Sequence, residues 1–97
     1  MNEARAGCRL RQAEATDDPV EAAGLVRRAR WLDPWHAQLD DVATPLADQL
    51  QQAGEQAFAA EDWAGAFASW TAALHADPSR ARLRRRAERA RGRMLGL

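Results

Sequence analysis

Asp62-Trp-Ala-Gly-Ala-Phe-Ala-Ser-Trp-Thr-Ala-Ala-Leu-His-Ala-Asp-Pro78 decides the fold. Within it Trp63, Phe67, Trp70 and Leu74 follow one another at intervals of four, three and four, which lines up one face of an α-helix. Asp62 suits the N-cap, and Asp77-Pro78 stops the helix because a residue before proline avoids helical dihedrals. The same frame stands 44 residues upstream as Asp18-Pro-Val-Glu-Ala-Ala-Gly-Leu-Val-Arg-Arg-Ala-Arg-Trp-Leu-Asp-Pro34. It too opens on an acid, carries Ala22 and Ala29 where the later stretch has Ala66 and Ala73, and closes on Asp-Pro. One such helical unit cannot bury its apolar face alone, so a unit written twice points to stacked repeats.

Working outward, five helices are expected. The first covers about Asn2 to Ala15 and stops at Thr16-Asp-Asp-Pro19. The second starts behind the Asp18 cap with Pro19 in its first turn, and runs to about Leu32 with Ala22, Leu25, Val26, Ala29 and Leu32 on one face. Trp35 to Thr44 reads either as a short extra helix or as the first turns of a long one bent at Pro45. Thr44 as cap and Pro45 in the first turn favour a fresh start. The third helix then spans about Pro45 to Ala60, with Leu46, Leu50, Ala53, Ala57 and Phe58 inward. The fourth begins at Asp62. The fifth begins near Ser79 and shows Leu83, Ala87, Ala90 and Met94 on one face.

Composition agrees. The 97 residues include 23 Ala, and all 14 basic residues are Arg, so helix formers dominate while strand formers are few. The length suits one small domain with little margin of stability. Its divisions are unit one at about 3–34, an inserted segment at 35–45, unit two at about 46–78, and a basic capping helix at 79–97. A single cysteine, Cys8, leaves no internal disulfide and no thiolate metal cluster. The chain shows neither a signal peptide nor an apolar run near 18 residues, so a soluble cytoplasmic protein is expected.

Charge is segregated. Residues 33–78 hold eight acids and no Arg, whereas residues 79–97 hold eight Arg and only Glu88. Such asymmetry bears on partners and association, not on fold.

The stretch from Leu50 to Pro78 resembles a tetratricopeptide repeat. Leu50, Ala53-Gly54 and Ala57-Phe58 stand on the first helix of a pair, Asp62-Trp63 forms the turn, and Ala66, Trp70, Ala73 and Pro78 complete the second. The first unit matches through Ala22, Val26, Ala29 and Pro34, but Leu10 stands where the small residue belongs and Pro19 where an aromatic does. The family period is 34 residues; ten extra residues between Pro34 and Leu46 account for the offset here. The resemblance implies an all-α, right-handed α-solenoid of helix hairpins. It also implies a ligand groove lined by the first helix of each pair. Asp48, Gln51, Gln52 and Glu55 would form one wall and Arg82, Arg85 and Arg89 the other.

Each remaining candidate has a bland reading beside the functional one. The Arg-rich end serves as a polar cap on the array. Alternatively its arginines grip carboxylates or phosphates, with Arg80, Arg84, Arg86 and Arg93 as further phosphate contacts. A third reading turns the basic end toward the acidic middle, within one molecule or between two. Trp31 and Trp35 flank the Asp33-Pro34 corner. Either the inserted segment covers Trp31, or the two tryptophans anchor a partner. Trp63 and Trp70 belong to the core.

Nothing in the chain resembles a catalytic constellation. His36 and His75 are isolated, no Gly-rich phosphate loop occurs, and no metal or cofactor is expected. The expectation is a non-catalytic adaptor or assembly subunit that binds another protein, with no membrane partner. The runners-up are a nucleic-acid-associated accessory protein and a self-assembling scaffold component.

Overall fold

Two of the helices start where an Asp stands ready to cap them. In a computed structural model describing residues 2–96, Asp18 accepts from the Val20 amide at 3.0 Å and opens α2 (Pro19–Leu32). Asp62 accepts from the Gly65 amide at 3.0 Å and opens α4 (Trp63–Ala76). Each cap satisfies one of the donors that a helix start leaves unpaired. The remaining helices are α1 (Asn2–Ala15), α3 (Leu39–Ala59) and α5 (Arg82–Met94). All five are α-helices, and no strand occurs among the described residues. Leu97, the last residue of the expected capping helix, lies outside the described residues.

The inserted segment does not make a helix of its own. It supplies the loop before Leu39 and then the first turns of a 21-residue α3 that runs through Pro45. Thr44 is therefore helical and caps nothing. Proline costs a helix interior about 3 kcal/mol, and here burial opposes that cost. Leu39 and Ala43 are only 3% and 2% exposed against unit one, while Pro45 itself faces solvent. The turns before the proline stay helical because they are docked.

α3 thereby joins two cores. Its first half, through Leu39 and Ala43, packs with Ala6, Leu10, Ala22, Val26 and Ala29. Its second half, through Ala47 and Leu50, packs with Ala66, Trp70, Ala73 and Leu83. Leu46 touches both clusters. α4 is apolar nearly all round because it packs against α2, α3 and α5. The molecule is elongated, 46 × 23 × 18 Å.

The inward face of α4 is carried by small residues as much as by aromatics. Ala66, Ala72, Ala73 and Ala76 are buried with Trp70, whereas Phe67 and Leu74 are half-buried. Gly54 on α3 shows why: a Cβ there would lie 2.4 Å from the Trp70 indole. Trp70 also donates its Nε1–H to the Gln51 carbonyl at 3.3 Å. Trp63, expected in the core, is only half-buried. Its ring meets Phe58 edge-on at 4.8 Å, and the Arg93 guanidinium lies 5.4 Å from its centroid.

α5 starts at Arg82, later than expected, because Ser79 is spent elsewhere. Its hydroxyl and amide both donate to Asp77, leaving Ala81 at the helix start without a side-chain cap. Leu83, Ala87 and Ala90 bury the inner face as expected, but Met94 is 44% exposed. On the other side, Arg30 of α2 donates to the Ala76 carbonyl and so caps the C-terminus of α4 from the neighbouring unit.

Candidate functional site

Three surfaces compete for the role. The first is the groove between α3 and α5, where the resemblance places a ligand. Its floor holds Phe58 and Trp70, with Glu55, Arg86 and Arg89 around a recess of about 340 Å³. The two walls reach across and bind each other. Arg86 pairs with Glu55 at 3.0 Å. Arg80 pairs with Asp48 at 2.7 Å and with Asp77 at 3.1 Å, and donates to the Gln51 side chain at 3.0 Å. Basic end and acidic middle thus meet within one molecule.

The electrostatics follow the geometry. Burial alone would push the Asp77 carboxyl up. The hydrogen bonds from the Ser79 hydroxyl, Arg80 and the Ser79 amide outweigh that, helped by the Arg80 charge, and hold it below its ordinary 3.8. For Arg80, burial lowers the pKa, but Asp48 and Asp77 raise it further, so it stays firmly cationic. Arg80 and Arg86, expected as phosphate contacts, are engaged with the chain's own acids. Gln52 is exposed beside the groove, and Arg82, Arg84 and Arg85 point their charges to solvent.

The second surface is the corner after α2. Trp31 is 85% exposed and Trp35 is 91% exposed, so the inserted segment covers neither. It cannot cover Trp31, because burying Leu39 and Ala43 carries α3 to the opposite side of α2. Beside Trp31 lies a broad recess lined by Arg9, Arg27, Arg28, Arg30, Pro34 and His75. No carboxylate lines it. Burial, and then the Arg27 charge, hold the His75 imidazole below its ordinary 6.5.

The third surface is a groove of about 640 Å³ between the α1–α2 turn and the first half of α3. Ala13, Ala22, Val42, Pro45 and Leu46 give it an apolar part, Thr16, Gln38 and Gln49 add neutral polar groups, Glu14, Asp17 and Asp41 bring acid, and no arginine lines it. Sequence reading missed this groove, along with Arg9, Arg27 and Arg28. Leu39, Val42 and Leu46, spaced three and four apart across Pro45, were the signal that helix and groove both extend to Leu39.

Cys8 is exposed and unpaired. Among the described residues no group of three metal-ligating side chains occurs, and no helix is long and apolar enough to cross a membrane. No protein-family model, curated protein or solved structure matches the chain.

Proposed function

We propose that the chain is a non-catalytic protein-interaction module, a short right-handed array of tetratricopeptide-like helix hairpins that binds through its Trp31/Trp35 corner. The observation that carries this reading is the exposure of both indoles on one corner of a 97-residue chain. Covering a Trp removes roughly 150–250 Å² from water, on the order of 4–6 kcal/mol each at about 25 cal/mol per Å². Trp with Arg is the composition of interface hot spots, and Arg27 and Arg28 stand one helical turn before Trp31. The α3–α5 groove supports binding less well, since an incoming ligand would first have to displace Arg80 and Arg86 from Asp48 and Glu55.

A second reading has its own support. Arg82, Arg84, Arg85, Arg89 and Arg91 are exposed on α5 and, among the described residues, take part in no ion pair. That is an electrostatic footprint fit for a phosphate backbone. Capture by the immobilised full chain, repeated after nuclease treatment, separates the two. The interaction module holds a protein, its own copies included, after nuclease and loses it in the Trp31→Ala/Trp35→Ala chain. Retention of nucleic acid alone, released as salt rises, would overturn it in favour of the α5 reading.

A further inference from the structure

Taking the interaction-module reading as its basis, we infer that the partner is a second copy of this chain, bound head to tail with Trp31 of one molecule seated in the α1–α3 groove of the next. The two surfaces are complementary in shape and in charge. One offers a protruding indole flanked by Arg27 and Arg28, beside a recess with no carboxylate. The other is a groove of mixed lining, with Val42, Pro45 and Leu46 as its apolar part, that carries Glu14, Asp17 and Asp41 and no arginine. Its volume of about 640 Å³ leaves ample room for an indole. Among the described residues, none of these five charged side chains takes part in an ion pair, in contrast to the satisfied α3–α5 groove.

One chain cannot satisfy both halves by itself. Ala22 lines the groove and Trp31 forms the knob, nine residues further along the same helix. At about 100° and 1.5 Å per residue that places them on opposite sides of α2 and roughly 14 Å apart. The contact is therefore between unlike surfaces of two molecules, and it leaves a free knob at one end and a free groove at the other. The formal net charge of zero adds no overall repulsion between copies.

The test is the solution mass of the full chain by sedimentation at low salt. The weight-average mass should at least double between ~10 µM and ~1 mM and shrink as salt screens the charges. Trp31→Ala should hold the chain monomeric across that range. So should Arg27→Glu/Arg28→Glu alone and Glu14→Arg/Asp41→Arg alone, since each makes both surfaces carry the same sign. An equimolar mixture of these two variants should assemble again, because each restores the sign opposite to the other. All the substituted positions are exposed, and circular dichroism checks that each variant folds. A wild-type chain that stays monomeric throughout, or a mixture that fails to assemble, overturns the inference. If that monomer still holds a different protein through Trp31 and Trp35, only the second copy falls and the interaction module stands.

Discussion

Units one and two place their second helices at the same offset, with α2 at Pro19–Leu32 and α4 at Trp63–Ala76, yet they fill the space beneath in opposite ways. In unit two a glycine, Gly54, lies under a tryptophan, Trp70. At the matching positions of unit one stand Leu10 and Val26, both fully buried in one cluster. A small-plus-large pair has become a medium-plus-medium pair. Cores tolerate such redistribution when total volume is kept, so exchanging the two pairs asks whether they fill equivalent space. The closing positions diverge too. Trp31 and His75 are equivalent, but His75 is half-buried beside Arg27 while Trp31 has no neighbour to cover it.

The sharpest way to break the comparison is to exchange the pairs. Trp70→Val or Gly54→Leu alone should destabilise by about 3–5 kcal/mol, through a cavity in the first case and a clash with the indole in the second. Combined, they install the unit-one pair and should recover at least ~2 kcal/mol of the summed loss in a double-mutant cycle by urea unfolding. Strict additivity would show that the two pairs do not fill equivalent space.

Pro45 tests the junction between the units. Pro45→Ala restores an amide that can donate to the Asp41 carbonyl, and should stabilise by about 1–3 kcal/mol in the same assay. A loss instead would mean that the proline shapes the docking of Leu39 and Ala43.

The capping helix α5, which follows unit two, rests partly on Arg80, so Arg80→Ala should cost about 1 kcal/mol, felt mainly as faster amide exchange in α5. The turns between paired helices also differ. Glu61 sits at φ 60 just after α3, where the Asp62 amide reaches back to the Ala57 carbonyl at 2.8 Å, while no residue of the Thr16–Asp18 turn has positive φ. Glu61→Gly should therefore raise the thermal midpoint, by roughly 0.5–1 kcal/mol of stability.

The smallest effect concerns His75. Its folded pKa lies below 6.5, so the unfolded chain takes up the proton first as pH falls. The stability present above pH 6.5 should decline as pH drops from there toward the lower folded value. Comparing unfolding at pH 7.5 and 5.5 should show a drop that His75→Gln makes shallower. An equal drop in both chains would assign it to other groups.

Local signals were enough for much of this molecule. The Asp-led starts of α2 and α4, their Asp-Pro ends, and the stripe of Leu83, Ala87 and Ala90 act within one or two turns, so they can be read without knowing the neighbours. They determined an all-helical chain containing one repeated helix; the candidate groove residues on α3 and α5 came from the resemblance to the tetratricopeptide repeat and not from these local signals. Long-range packing decided the rest. Whether Pro45 breaks a helix depends on the burial of Leu39 and Ala43 against unit one. Whether Trp31 is core or surface depends on which side of α2 that docking leaves bare. Arg80 and Arg86 became internal ties only because α5 folds back beside Asp48 and Glu55. In each case the deciding energy comes from a residue far away in sequence, a term that propensity and spacing do not contain.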